Sequence, residues 1–214
     1  MNIVVFVSGG GTNLQNLIDR IADGYLSDVR ICRVIASREG TYAQTRAENA
    51  GLPVSIVSRK DFSDMEGYDE TLLQLLEHSG AELVVLAGFL SLLGPRVVER
   101  YRNRILNIHP ALLPSFGGKG MYGLHVHEAV LESGVKWTGA TVHFINENYD
   151  DGPILLQQPV PVRQDDTPES LQARVIAEGE HPLLPEAVRL VTRGRVRIVG
   201  NKTLIDEEAE HPDS

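Results

Sequence analysis

The strongest constraint on this fold is an alternation that runs from residue 2 to residue 109. Short apolar runs, "NIVVFVS", "VRICRVIAS", "LPVSIVS", "AELVVLAG" and "RILNIH", are separated by stretches with helical spacing. Runs that are apolar throughout suit strands covered on both faces. The first helix is expected over 12–22, where Leu14, Leu17, Ile18 and Ile21 share a face and Gly24 follows the end. A second is expected over 41–51, a third over 65–80, and a short fourth from Pro95. This β-α-β-α order predicts an α/β fold with a mostly parallel sheet and helices on both faces.

The rhythm breaks after residue 109. Residues 110–123 contain Gly117, Gly118, Gly120 and Gly123 and read as a long mobile loop. A short helix, "HEAVLESG", follows it, then two strands, "KWTGATVHFI" and "PILLQQPVPV". A long helix is expected from an N-cap at Thr167 to about Arg193. "RVRIVGNKTLI" reads as a hairpin turning at Gly200-Asn201. No repeat or linker interrupts the chain, so residues 1–205 are read as a single domain. Residues 206–214 are acidic and poor in apolar groups, and are read as a disordered tail.

Composition narrows the function classes. The net charge of the 214-residue chain is −9, which gives no general attraction to nucleic acid or an anionic membrane. No run approaches the ~18 apolar residues of a membrane span, and no stretch resembles a targeting peptide. The expected location is the cytoplasm. The single Cys32 permits no internal disulfide and sits in a strand-like run as a small buried hydrophobe. Small-molecule substrates are the expected partners of a monomer or homodimer.

Three features fall at the carboxyl ends of strands, where open parallel sheets bind ligands. The first is "SGGGTN", residues 8–13, between a strand and a helix. Its backbone amides could cradle a phosphate at the helix start; a plain tight turn and a dinucleotide site are the alternatives. The dinucleotide reading lacks a glycine at position 14, where Leu14 stands, and an acidic residue after the second strand. The second is "AGFLSLLGP", after the "LVVL" strand. The third is "NIHP", where Asn107 and His109 project from one face, an amide donor beside a proton-transfer group. Asp150, before Asp151 and Gly152, is either a turn residue or a carboxylate partner that favours imidazolium. His125, His127 and His143 are weak metal candidates at this spacing, and no metal is expected.

Taken together, "VVFVSGGGTNLQNLI", "VVLAGFLSLLGP", "LNIHPALLPSFGGKGMYGLHVHEAV", "GATVHFINENYDDGPILLQ" and "EGEHPLLPEAV" resemble the phosphoribosylglycinamide formyltransferases of purine synthesis. The likeness runs from residue 2 to about residue 200 and rests on the order of five motifs. It implies a Rossmann-like formyltransferase fold and transfer of a formyl group from 10-formyltetrahydrofolate, as cosubstrate, to the amine of glycinamide ribonucleotide. It maps catalysis onto Asn107, His109 and Asp150, and the phosphate onto Gly11, Thr12 and Asn13. It places Ala177, Glu178, Gly179 and Glu180 beside the glycinamide end. Folate is placed against Leu90, Ser91, Leu92 and Leu93, Asn107, and Asn146, Glu147, Asn148, Tyr149 and Asp150.

The resemblance also carries departures. Arginines that often stand in the family's folate region are replaced by Ser91 and near Met65, with Arg59 and Lys60 as nearby substitutes. A formyltetrahydrofolate hydrolase or a methionyl-tRNA formyltransferase shares the Asn-x-His and Asp logic. Such enzymes usually carry an added domain that this chain does not show. A non-catalytic nucleotide-binding module is the rival from another class.

Overall fold

Ile3, Val4, Val5, Phe6 and Val7 are all fully buried, a pattern that a strand enclosed on both faces produces. In the computed structural model, which describes residues 1–147 and 150–206, they form β1 (Asn2–Val7). Side chains alternate across it. Ile3, Val5 and Val7 join Leu14, Leu17 and Val188 in one core cluster, while Val4 and Phe6 join Tyr68, Leu72 and Val97 in another. The sheet therefore has a core on each face.

β1 is followed by α1 (Thr12–Ala22), β2 (Arg30–Ala36), α2 (Tyr42–Asn49) and β3 (Val54–Ile56). A 3₁₀ turn (Arg59–Asp61) precedes α3 (Met65–His78), β4 (Leu83–Leu86), α4 (Pro95–Arg100) and β5 (Ile105–His109). Beyond the loop come α5 (Leu124–Ser133), β6 (Trp137–Phe144), β7 (Ile154–Pro161) and α6 (Pro168–Arg174). A π-helical segment (Val175–Glu180) leads into α7 (His181–Thr192), and β8 (Val196–Val199) and β9 (Lys202–Ile205) close the order.

Among the described residues the strands form one sheet in the order β3-β2-β1-β4-β5-β6-β7-β9-β8. The first five strands pair in parallel, as the alternation predicts. β6 runs antiparallel to both β5 and β7. The chain leaves β1 towards β2 and β3, then returns to β1's other side with β4 and β5. The direction of winding thus reverses between β1 and β4, the crevice where open sheets take ligands.

Three elements differ from their sequence-based outlines. α5 begins at Leu124 rather than at 127, because Val126 and Val130, one turn apart, bury together against Ala111, Val160 and Leu171. β3 is limited to three residues at the sheet edge. The long C-terminal helix is continuous in direction but widens into the π segment. Two prolines bear on this: Pro182 and Pro185 lack the N–H groups that would bond the carbonyls four residues earlier. The His181 carbonyl left free by Pro185 accepts instead from Asn16 Nδ2 at 2.7 Å. That bond ties α7 to α1. Asp206 is bonded to Arg197; residues 207–214 of the expected tail lie outside the described residues.

Candidate active site

The glycine turn is held from behind. Three successive carbonyls point towards the α2 side of the molecule and each meets a donor. The Ser8 oxygen accepts from Arg38 Nε at 3.2 Å, the Gly9 oxygen from the Ala43 amide at 3.1 Å, and the Gly10 oxygen from Arg46 Nε at 2.9 Å. With its carbonyls committed on one side, the turn leads into the first amides of α1, which have no intrahelical acceptor. No acidic residue stands in that first turn. Gly11, with φ +71°, could not be replaced without cost: a Cβ there would lie 2.6 Å from Ala43 Cα.

The second arm of this end comes from the π segment. Asn13 is buried and its Nδ2 donates to Glu180 Oε2 at 2.6 Å. Burial pushes the Glu180 carboxyl above its ordinary pKa, against the Asn13 bond that draws it down. Asn13 Oδ1 is buried without a hydrogen-bond partner. Gly179 packs against Ala140 of β6, while Ala177 and Glu178 are exposed. Thus Gly11, Thr12 and Asn13 form one wall, and Glu180 joins it through Asn13.

Ser8 bridges the switch-point crevice. Its Oγ accepts from the Leu90 amide at 2.9 Å and from Ser37 Oγ at 2.7 Å. Leu90 begins the strip after β4, so the glycine turn and the strip share one hydroxyl. Asp69 steadies the far end of the strip, accepting from the Gly94 and Arg96 amides at 2.9 and 3.0 Å.

Beside the strip lies a cavity of about 440 Å³. Its lining includes Leu90, Ser91, Leu92 and Leu93 on one side, and Asn107, His109 and Asp150 at the carboxyl edge of the sheet. Asn146 and Glu147 line it as well; Asn148 and Tyr149 lie outside the described residues. Leu90 and Leu92 are 57% and 47% exposed, an apolar surface open to a flat ring.

The polar end of the cavity is a cluster centred on Asp150. One carboxylate oxygen is 3.8 Å from His109 Nδ1, and the other is 3.6 Å from His143 Nε2. His143 lies opposite Asn107 in the antiparallel register of β5 and β6, with Asn107 Nδ2 3.1 Å from its Nε2. The Gly118 amide donates to Asp150 Oδ2 at 2.8 Å. Burial pushes the Asp150 carboxyl up, but the contact with His143, the Gly118 amide bond and the charge of the two nearby imidazoles outweigh it. The carboxyl is therefore held below its usual range. It is an anion at neutral pH.

His109 is 4% exposed. Burial draws its pKa below the ordinary imidazole value, against the Asp150 charge and the Phe116 carbonyl, which draw it up. Its Nε2 donates to the Phe116 oxygen at 2.8 Å, so a loop carbonyl occupies this ring nitrogen. The loop is pinned at its base: Thr141 Oγ1 donates to the Ala111 oxygen at 2.7 Å and accepts from the Leu113 amide at 3.0 Å.

The sequence-based candidates Asn107, His109 and Asp150 therefore come together. His143 was missed as their companion. The signal was its place in a strand, facing Asn107 across a pairing that the sequence does not announce. The metal reading of the histidines disperses: His125 is exposed beside Glu128, and His127 is buried with a pKa pushed down to about 4. No group of three metal-capable side chains occurs among the described residues. Among the same residues no helix is long and apolar enough to cross a membrane.

Residues 1–188 match the family model described as formyl transferase. The chloroplastic phosphoribosylglycinamide formyltransferase of Arabidopsis thaliana is 38% identical over 99% of this chain and 72% of its own length. The phosphoribosylglycinamide formyltransferase of Haemophilus influenzae is 36% identical over 97% of this chain and 94% of its own. Among solved structures, glycinamide ribonucleotide transformylase 1 from Symbiobacterium toebii superposes with a TM-score of 0.90 at 40% identity, covering 97% of this chain and 94% of that one.

Proposed function

The chain belongs to the formyl transferase family, among the phosphoribosylglycinamide formyltransferases of purine biosynthesis, and on that premise we propose how its residues carry out the transfer. The formyl donor is 10-formyltetrahydrofolate and the acceptor is the amine of 5′-phosphoribosylglycinamide. The observation that carries this reading is the Ser8 bridge. It ties the glycine turn at the start of α1 to the strip that walls an apolar cavity, with Asn107 and His109 lining that cavity.

The ribonucleotide phosphate sits on the amides of Gly11, Thr12 and Asn13, whose helix-start position favours an anion. Glu180 receives hydroxyl or ammonium groups of the same substrate. The pterin lies on Leu90, Leu92 and Leu93. The neutral amine attacks the formyl carbon, and the carbonyl electron pair moves onto oxygen. Asn107 Nδ2 and the protonated His109 ring donate to that oxyanion. Preorganised donors of this kind act where charge develops and need no rearrangement at the moment of reaction. Collapse expels N10, and the proton released by the attacking amine reaches N10 through His109 or through water.

Asp150 supports this in two ways. Its charge opposes the burial that would keep His109 neutral. Its second oxygen faces His143, which in turn steadies the Asn107 amide. His109 Nε2 must leave the Phe116 carbonyl before it can serve the substrate, so residues 115–123 shift on binding. Protease cleavage of this segment is expected to slow when both substrates are present. An unchanged rate would remove the lid.

The decisive experiment mixes the protein with glycinamide ribonucleotide and a 10-formyl folate and follows the deformylated folate. Release that requires the ribonucleotide is the expected result. Release without it would indicate a hydrolase, and no release would overturn the reading.

A further inference from the structure

The cavity beside His109 carries a cation that the reaction does not use. Besides His109, whose ring serves the formyl oxygen, the ionic side chains in its described lining are Lys119, Glu147 and Asp150. Glu147 faces Arg102 at 3.3 Å, and Asp150 sits between two imidazoles. Lys119 is exposed and lines the cavity from the loop side. Resting on the functional reading above, the donor that enters this cavity has two unlike ends. Its pterin is neutral and flat and fits the leucine strip. Its other end is a glutamate, whose carboxylates are ionised at neutral pH.

A carboxylate entering this cavity would meet Glu147 and Asp150 with repulsion and Lys119 with attraction. The two cations that the sequence suggested do not take this place. Neither Arg59 nor Lys60 is in the cavity lining. Arg59 Nη1 donates to the Phe62 oxygen at 2.8 Å, and its guanidinium lies 6.0 Å from the centre of the Tyr68 ring.

We propose that Lys119 recognises the anionic glutamate end of the folate cosubstrate and sets its affinity. The local backbone supports the placement. Lys119 stands between Gly118 and Gly120, with φ of +94° and +90°. Other residues rarely adopt those angles. The Met121 amide bonds the Gly118 oxygen at 3.1 Å, which closes a tight turn around the lysine. The Gly118 amide is the one that holds Asp150 Oδ2. The cation is thus one residue from the bond that orients the reactive carboxylate.

The test compares Lys119→Met and Lys119→Arg with the unsubstituted protein on two formyl donors. One is 10-formyltetrahydrofolate with a single glutamate. The other has both glutamate carboxylates converted to amides, which removes the charge and keeps the shape. Lys119→Met is expected to raise KM for the charged donor about fivefold, the scale of an exposed ion pair. Its kcat and its KM for the ribonucleotide stay unchanged. Lys119→Arg keeps most of the affinity. The amidated donor gives the same KM with all three proteins, and added salt narrows the difference for the charged one. An equal loss with both donors would overturn the proposal in favour of a general disturbance of the loop, and no loss with either would also overturn it. Calorimetric titration of the two donors reads the Lys119 contact without turnover. Failure of the transfer reaction and failure of this contact are therefore separate results.

Discussion

The two ends of the crevice are built from different materials. At the proposed phosphate end the groups on offer are backbone amides, and the support comes from behind: Arg38, Arg46 and the α2 amide of Ala43 hold three consecutive carbonyls. At the proposed transfer end they are side chains. They come from β5, β6, the segment after β6 and the long loop, and Asp150 is their common neighbour. A backbone site is local in sequence and fixed once its helix forms. A side-chain site needs the register of an antiparallel pair and the fold of a loop before it exists. The first should fail through geometry, and the second through loss of a proton or a donor.

The largest effects belong to the transfer end. Asn107→Ala and His109→Ala are each expected to lower kcat by about 10²–10³, with little change in KM for the ribonucleotide. Steady-state kinetics with both substrates checks this. A fall in affinity with unchanged kcat would move the reacting centre elsewhere. Asp150→Asn adds a direction. With burial already holding the His109 pKa low, removing the charge that raises it lowers it further. The protonated ring is present below its pKa and lost as pH rises through it. The falling limb of kcat against pH should therefore move to lower pH in the variant. A limb that stays in place would free His109 from the acid role.

The phosphate end breaks next. Gly11→Ala forces a residue with φ +71° to carry a Cβ 2.6 Å from Ala43 Cα, which is backbone and cannot step aside alone. Overpacking of this kind costs roughly 1–3 kcal/mol, read as a lowered melting temperature. Displacing the amides should reduce kcat/KM for the ribonucleotide by about 10²-fold, while KM for the folate stays near its original value. Equal damage to both substrates would show that the two ends are not separable.

The same contrast decides what the sequence disclosed. The strand, turn and first helix were legible because each depends on neighbours along the chain: five apolar residues, three glycines, and leucines at helical spacing. Asn107 and His109 were legible as a pair because two residues in a strand share a face. His143 was not, because it meets Asn107 only through the β5–β6 register. The antiparallel insertion of β6 and the sheet order were hidden for the same reason. The Ser8–Leu90 bond spans 82 positions and has no local signature. The π segment left a trace in Pro182 and Pro185, but its partner for the freed carbonyl, Asn16, lies 165 positions away.

A smaller effect separates holding the turn from touching the phosphate. Arg46 donates to the Gly10 oxygen and to Gln15 Oε1, and its guanidinium lies 4.6 Å from the centre of the Tyr42 ring. Arg46→Met keeps much of the packing and removes the two hydrogen bonds and the positive charge. KM for the ribonucleotide should rise about fivefold, with the folate KM unaffected. Arg46→Lys, which keeps charge without the planar contact, should recover part of the loss. No change in either variant would leave Ala43 and Arg38 as sufficient supports.

The smallest effect concerns Glu180 and tests whether the phosphate end bears a cost for its ligand. The carboxyl is buried, and burial raises its pKa despite the bond from Asn13 Nδ2. A carboxyl whose pKa is higher in the folded than in the unfolded chain stabilises the fold fully at pH below its unfolded value. That contribution is lost as pH rises through the folded value, because the buried group must then ionise. Glu180→Gln keeps an acceptor for Asn13 and removes the ionisation. The variant should match the unsubstituted protein in melting temperature under acid conditions and exceed it slightly at neutral pH. Its KM for the ribonucleotide should rise, since the anion proposed to receive the substrate's donors is gone. If the variant melts lower at neutral pH, Glu180 is a structural anchor of the π segment. If it melts higher but binds the ribonucleotide as well as before, the ionised carboxylate has no part in the site.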